Sequence, residues 1–509
     1  MSSEPPSPVP VSSASEGSVP EMRAPALPKT SRSAIITVVV LCFGGLCASL
    51  TQTMVIPIQG ELAQLLGTSA ANASWVVTAT LLTGAVTMPV AGRLGDMFGK
   101  QRILVISAFL LLLGSLVCAM ADSLVPMLAG RVLQGLAFGF IPVGISLLRE
   151  VTPPHITSTA IAAMSATLGV GGAIGLPLSA WIAQDFDWHA LFWTSAGLAA
   201  AVLAAVLFFV PRVNNAKGGR FDIVGALGLA IGLVSVLISV SKGNEWGWVD
   251  ARTLACLIGG IVVLLAWGMF ELRQDEPLCD LRVTAQRPVL LTNLAAVAVG
   301  FGMMAQAIVV PQLLQLPTAT GYGLGQTLLA TGLWMAPAGL MMLLFAPVSS
   351  TLMQRSGAKL TLMIGAGVLG FGYLVAVFLM AAPWQLLVAS MVSSAGVGIA
   401  YAAMPTLILS SVPMTESGSA VGINGLMRSV GTSVASAVMV SLLTSSTRDF
   451  AGFAIPTQGA FQLCFIVGAA AAFIGVAITA LVPAARRAAP SPMEAVAAES
   501  PLDPELSVR

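Results

Sequence analysis

The chain is poor in charge. Asp, Glu, Lys and Arg make up 9% of its 509 residues, and they balance to +1 at pH 7. Water-facing domains carry about 25% charged residues, so this composition excludes an ordinary soluble fold. The near-zero balance leaves no bulk field for nucleic acid, which is not an expected partner. Histidine is scarce: His155 and His189 both fall in expected loops, which excludes a membrane-buried histidine relay. The six cysteines have no paired spacing and five lie in apolar runs, where they act as small packing residues rather than a disulfide or metal set. Gly-rich phosphate loops, nucleophile elbows, metal-ligand clusters and an ATP-binding domain are all missing from the sequence. No cofactor, metal or catalytic residue is therefore expected.

Apolar length is what the chain has instead. Hydrophobic residues make up 56% and mean hydropathy is +0.91. No charged residue falls between Arg287 and Arg355, or between Lys359 and Glu416. A helix needs about 20 residues to cross a bilayer, so each gap holds two crossings. Fourteen spans are expected, at 33–58, 73–92, 102–121, 124–149, 157–183, 190–211, 222–241, 252–271, 288–314, 324–353, 359–380, 384–410, 417–445 and 459–483. With a cytoplasmic amino terminus, three of the 23 Lys and Arg lie outside (Lys242, Arg252, Arg448) and two in the membrane (Arg131, Arg428), leaving 18 inside. That bias obeys the positive-inside rule and puts both termini in the cytoplasm of a multi-pass cell-membrane protein.

An internal repeat appears at an offset of 258 residues: Pro89-Val90, Leu94 and Gly99 recur as Pro347-Val348, Leu352 and Gly357. The same offset carries the first span onto the ninth. The chain thus reads as an all-α membrane protein of two six-helix bundles plus two inserted helices. The expected divisions are a disordered tail at 1–32, a bundle at 33–211, the inserted pair with its loops at 212–287, a second bundle at 288–483 and a second tail at 484–509.

Two hairpins follow the repeated spans. In Gly92-Arg93-Leu94-Gly95-Asp96-Met97-Phe98-Gly99-Lys100-Gln101-Arg102, glycines allow a tight turn and Asp96 can accept from the free N–H groups of a helix amino terminus. Lys100 and Arg102 can pair with acids across the bundle interface. The second hairpin, with Arg355, Gly357 and Lys359, echoes the first. The pair reads either as a conformational latch or as ordinary basic loops.

The interior holds Arg131 and Arg428 and no acid. A charge at bilayer depth costs about 3 kcal/mol, so each arginine needs a purpose. Arg131, with Gln134 one turn on, can meet Thr51 and Gln52 of the first span, or Glu61 beyond it, or can staple its helix to neighbouring carbonyls. Arg428 has Asn424 one turn before it, and either lines a cavity or joins helices. Amides need partners away from lipid, so Asn293, Gln306 and Gln312 in the ninth span are further cavity candidates. Arginine does not titrate near neutral pH, so a proton site must be an edge carboxylate, with Glu61 and Asp222 foremost.

Gly92–Arg102 resembles the hairpin signature of the major facilitator superfamily, and Arg131-Val132-Leu133-Gln134-Gly135 resembles its fourth-helix signature. Asp187-Trp188-His189-Ala190-Leu191-Phe192, Glu245-Trp246-Gly247-Trp248, Pro311–Gln315 and Ser419–Gly431 are similar to that superfamily's fourteen-helix drug:proton antiporter branch. Together with their order, these cover residues 33–483. The resemblance implies a monomeric exporter of hydrophobic or amphipathic compounds, drugs or secondary metabolites, exchanging them for protons. The chain departs from the branch where Thr51 stands for its first-helix aspartate, in Leu176-Pro177 and Ala180-Trp181 of the fifth span, and at Met97 and Gln101. A proton-independent facilitator for an anionic or neutral solute stays open, as does a non-transporting receptor or scaffold.

Overall fold

The computed structural model describes residues 31–483 except 57, 60, 214–217 and 451–452. The tail at 484–509 lies outside the described residues, as does the tail at 1–32 except for Ser31 and Arg32, which open the first helix.

Prolines, acids and hydroxyls set where the long helices begin. The first six are α1 (Ser31–Thr53), α2 (Trp75–Phe98), α3 (Lys100–Ala119), α4, α5 (Pro154–Asp185) and α6 (His189–Phe209). Of these, α4 runs Leu124–Leu136, tightens into a 3-10 turn at Ala137–Gly139 and resumes over Phe140–Val151. The next pair is α7 (Ile223–Trp246) and α8 (Ala251–Glu271), whose first N–H groups are capped by the Asp222 and Asp250 side chains. Then come α9 (Arg287–Gln315), α10 (Leu328–Leu344), α11 (Ala346–Phe378), α12 (Pro383–Leu409), α13 (Ser417–Ser445) and α14 (Gln458–Ala480). Pro154, Pro288 and Pro383 stand in first turns, where their missing N–H costs nothing. A two-stranded ribbon, β1 (Thr447–Phe450) against β2 (Phe453–Pro456), links α13 to α14 with Thr447 opposite Pro456.

Among the described residues, thirteen helical stretches are long and apolar enough to cross a membrane, one fewer than the charge gaps lead one to expect. The difference lies in Leu328–Phe378, a single stretch of 51 residues. At about 1.5 Å per residue it is over twice as long as a bilayer core is thick. Gly357 breaks it, at φ 79° and ψ 160°. One non-helical residue makes the turn, so no loop separates the two arms. Gly99 makes the matching turn between α2 and α3 at φ 100° and ψ 128°. The repeat seen in the sequence thus places both glycines on the left-handed side of φ, where a side chain is strained.

Side chains of α1 to α6 pack around Leu41, Leu104, Leu148 and Val206 at one end, and around Leu62, Met127 and Leu191 at the other. A separate and larger core is built on α9 to α14 around Val299, Leu369, Phe461 and Phe465, and Ala162 and Ala166 of α5 reach into it. The inserted α7 straddles the seam between the two: its Leu233 and Leu237 pack with Leu82 and Ala85 of α2 and Leu426 of α13. Burial then separates centre from rim, since 78% of the most apolar window of α12 is covered by protein but only 11% of that of α8. Exposed Ile258, Val262, Leu265 and Met269 leave α8 with the apolar surface that lipid tails solvate.

Candidate functional site

Asp96 ends α2 on the face that carries the Gly99 and Gly357 turns, here called the hairpin face. Its carboxylate accepts from the backbone N–H of Gly418 (3.1 Å) and of Ser419 (3.0 Å), the free donors of the first turn of α13. An acid of one half thereby caps a helix of the other, where the helix dipole favours negative charge. Lys100 stands beside it, 3.3 Å from Asp96 and ion-paired to Glu150 of α4, and donates to Ser417 Oγ at 3.2 Å. Ser146 and Ser417 share a hydrogen bond of 2.6 Å, and the Arg149 guanidinium donates to the Val412 carbonyl. Close contact depends on glycine, because a Cβ on Gly92 would lie 2.2 Å from the Gly418 carbonyl oxygen and one on Gly422 would lie 2.4 Å from that of Met88.

Lys100 serves two carboxylates whose side chains are 1% and 4% exposed. Lys100→Met is therefore expected to lower folding stability by about 3–5 kcal/mol, because it leaves two buried acids without a cation. Thermal unfolding of the purified protein in detergent reads this, and an unchanged midpoint would remove Lys100 from the latch.

The second seam on the same face has no acid. Thr159 and Ser350 share a hydroxyl hydrogen bond of 2.6 Å, and Gln354, at the repeat position of Asp96, donates to Ser158 Oγ at 3.4 Å. Arg102 and Arg355 are exposed and make no ion pair among the described residues, which corrects the expectation that the hairpin's Arg102 bonds across the interface, because its side chain points away from the neighbouring bundle's acids into open space. Lys359 instead donates to the Ala480 and Val482 carbonyls at the end of α14.

Arg131 is fully buried, yet its partners differ from those foreseen. Its Nε donates to the Val76 carbonyl of α2 at 2.9 Å and its Nη1 to Gln134 Oε1 at 2.7 Å, while Nη2 has no acceptor. Gln134 passes the contact on, donating to Ser115 Oγ of α3 at 3.0 Å. Thr80 Oγ1 donates to the Arg131 carbonyl at 3.1 Å. Thr51 is turned back on its own helix, donating to the Cys47 carbonyl, and half-buried Gln52 makes no hydrogen bond to the arginine. Glu61 is exposed in the loop after α1. The guanidinium thus joins α4 to α2 through the Val76 carbonyl, and Thr51 and Gln52 of α1 take no part in its hydrogen bonds among the described residues.

In the other half, the polar side chains of α9 and α13 meet. Asn424 Nδ2 donates to Asn293 Oδ1 at 3.1 Å, and Arg428 Nη1 donates to Asn424 Oδ1 at 3.0 Å. The Arg428 guanidinium lies over the Tyr401 ring, 5.0 Å from its centroid, and no carboxylate pairs with it. A cation on a ring face is weakly held, and its remaining N–H groups have no protein acceptor among the described residues. Gln306 forms a separate contact, to Ser394 Oγ at 3.3 Å and the Ser390 carbonyl at 3.4 Å. Gln312 is exposed on α9 and joins neither group.

Asp222 caps α7 by accepting from the Gly225 N–H at 2.7 Å, and its other oxygen is buried without a partner. Glu150, Tyr401 and Glu271 all occupy sites the sequence reading missed. Glu150 and Glu271 end apolar runs, where an acid reads as a boundary mark. Tyr401 carried a signal: it is one of three tyrosines in the chain and the only one in its span.

The two repeated halves thus meet at the hairpin face through Asp96, Lys100 and their partners, and each holds a buried arginine with no carboxylate partner among the described residues. The Major Facilitator Superfamily model matches residues 41–436 and 292–507. The chain is 27% identical to a probable actinorhodin transporter of Streptomyces coelicolor, over 74% of this chain and 67% of that protein. It is 26% identical to multidrug resistance protein Stp of Mycobacterium tuberculosis, over 73% of this chain and 68% of that one. An uncharacterized MFS-type transporter, YhcA of Bacillus subtilis, is 26% identical over 66% of this chain. Of YhcA and two mycobacterial relatives the chain spans about half to two-thirds, at 62%, 48% and 56% of their lengths. Among solved structures, the proton:xylose symporter XylE superposes with a TM-score of 0.62 at 15% identity, over 89% of this chain and 96% of that one. The human organic anion transporter MFSD10 superposes at 0.60 and 15%, over 88% and 99%. At that identity they speak to fold alone. The chain belongs to the Major Facilitator Superfamily, and it shares its fold with both solved structures.

Proposed function

We propose that this transporter exports amphipathic small molecules from the cell in exchange for protons, by alternating access between a six-helix half at 33–211 and another at 288–483. The observation that carries this reading is the Asn293–Asn424–Arg428 network, a cation held in the middle of α13 with donors to spare and no acid to neutralise it. Polar groups are kept at such depth for a ligand or for structure, and the free donors favour a ligand. Relatives named as multidrug and actinorhodin transporters support export of drug-like or secondary-metabolite cargo. In this reading Gly357 divides α10 and α11 into two crossings, giving fourteen, with both termini and the hairpin face in the cytoplasm of a cell-membrane monomer. The latch of Gly92, Asp96, Gly99 and Lys100 then closes the inner mouth.

Arg428 gives the cargo a preference. Compounds bearing negative charge or strong acceptors are bound better than cations, because guanidinium bonds to charged acceptors are the stronger ones. Arg428→Ala is expected to lower carboxyfluorescein flux about tenfold, a loss near 1.4 kcal/mol, and ethidium flux by less than about threefold. Flux of both dyes from proteoliposomes at two pH gradients tests the whole reading. Equal losses for the two dyes would sink the charge preference, and flux indifferent to the pH gradient would sink proton exchange. A facilitator of anionic or neutral solutes is the second reading, favoured by one observation: neither buried arginine faces a carboxylate.

A further inference from the structure

The proton that such exchange requires has no acid to bind in the core of either half, but the inserted helices hold one place built for it. Asp222 opens α7 and Glu271 closes α8, so both lie at the hairpin face. Each carboxylate has one oxygen occupied by a backbone donor: Asp222 Oδ1 by Gly225 N–H and Glu271 Oε1 by Cys279 N–H, at 2.7 and 2.6 Å. The other oxygens, Asp222 Oδ2 and Glu271 Oε2, are both buried and without a partner, and Glu271 as a whole is 2% exposed. They converge on Gly225. A Cβ there would lie 2.4 Å from Asp222 Oδ2 and 2.7 Å from Glu271 Oε2, so the two oxygens stand at most about 5 Å apart. The missing side chain of Gly225 is what leaves them room to face each other.

The surroundings do not neutralise the pair. Neither carboxylate has a Lys or Arg within ion-pair distance among the described residues. Arg93 of α2 acts on Glu271 through space without touching it. Cys279 stays a neutral thiol, pushed up to about 12 by burial first and by Glu271 second. Asp280 is occupied by the N–H groups of Arg282 and Val283, and the Arg282 side chain donates to the Leu272 carbonyl. Exposed Asp275 and Glu276 face the loop, Glu276 accepting from the Arg220 N–H. Trp267, one turn before Glu271, has a buried indole N–H with no acceptor. A cavity of about 40 Å³ lined by Glu271, Asp275, Asp280 and Arg282 reaches Glu271 from the loop, and it is large and polar enough to take a water.

We propose that Asp222 and Glu271 share a single proton, one carboxyl O–H donating to the other carboxylate, and that protons load and unload here during transport. Two carboxylates that share a site and lack a cation resist ionising together, and a shared proton removes one charge while satisfying both free oxygens. A hard cation fits less well, since it wants six or more oxygen ligands and no three acids among the described residues are grouped to hold one. The proton arrives from hydronium in the cavity, leaving water behind, and departs the same way. Its loss leaves two facing charges that push apart. Glu271 holds the backbone of Cys279, and the preceding Leu278 carbonyl accepts from Ser419 Oγ at 3.4 Å, on the residue whose N–H is bound by Asp96. Deprotonation is thereby felt at the latch.

The assignment of transport protons rests on the exchange reading, whereas the shared proton does not, and two measurements separate them. In full-length protein in lipid nanodiscs, infrared difference spectra between neutral and alkaline pH are expected to show a protonated-carboxyl band. That band is lost in both Glu271→Gln and Asp222→Asn; the glutamine keeps an oxygen for the Cys279 N–H, so the fold is retained. Bands unchanged in both variants, or carboxylate bands shifted by calcium, overturn the shared proton. In proteoliposomes, Glu271→Gln is expected to cut pH-gradient-driven flux of carboxyfluorescein and ethidium about tenfold, with flux down each dye's own gradient kept within about threefold. A band that disappears while flux stays coupled to the pH gradient overturns the transport role. Wild-type flux that ignores the gradient overturns the exchange reading and leaves the band to judge the pair.

Discussion

Gly92→Val is expected to abolish transport, with residual dye flux below about a tenth of wild type, and to leave the hairpin face open. The cause is local and steric. A Cβ at Gly92 would stand 2.2 Å from the Gly418 carbonyl oxygen, 2.5 Å from its carbon and 2.9 Å from Ser419 N, all backbone atoms that cannot rotate away. The two helices must then separate, and Asp96 loses the Gly418 and Ser419 N–H groups it accepts from. Overpacking of this kind costs about 1–3 kcal/mol even in forgiving cores, and here it acts on one conformation only. A cysteine placed at buried Ser417 should accordingly react with an impermeant maleimide in the variant and not in the parent. Gly197→Ala is the matched control, because nothing lies within 4 Å of its added Cβ. Parental flux in Gly92→Val would mean that the closed latch is not part of the cycle.

Arg131→Ala is expected to lose about 3–5 kcal/mol of stability, because it empties the volume of the largest fully buried side chain and strips its acceptors. The Val76 carbonyl and Gln134 Oε1 would lose their donors. Arg131→Met separates packing from charge. It keeps most of the volume, and it should recover most of the unfolding midpoint and hold dye flux within about threefold of wild type, since the guanidinium meets a carbonyl and an amide rather than an acid. A methionine variant that folds normally yet loses pH-gradient-driven flux would show that the charge itself is needed, and a bracing role would be the wrong account.

Legibility in the sequence varied with how local the cause was. The long charge gaps marked the helices, and the 258-residue echo marked the two turns because only glycine suits the backbone at Gly99 and Gly357. Asp96 could be read as a helix-capping acid because its neighbours are glycines and a lysine. Arg131 could be seen as costly, but its main partner is the carbonyl of Val76, and a backbone atom leaves no mark in the residue string. Where every face of a helix is apolar, periodicity does not say which side an amide takes, and on α9 Gln312 is exposed while Gln306 is buried. Glu271 looked like the end of a span, and only the fold brings it beside Asp222, 49 positions away along the chain.

The unequal chemistry of the two seams has a consequence for how the molecule opens. One seam is held by Asp96, Lys100, Glu150 and Arg149 and the other by the hydroxyls of Ser158, Thr159 and Ser350 with an amide. Only the first weakens as acid protonates its carboxylates, since pairs buried this far are little screened by added salt. In the proposed cycle the halves are then expected to part as the covers of a book do, swinging wide along the ionic edge while the hydroxyl edge stays nearly shut as the spine.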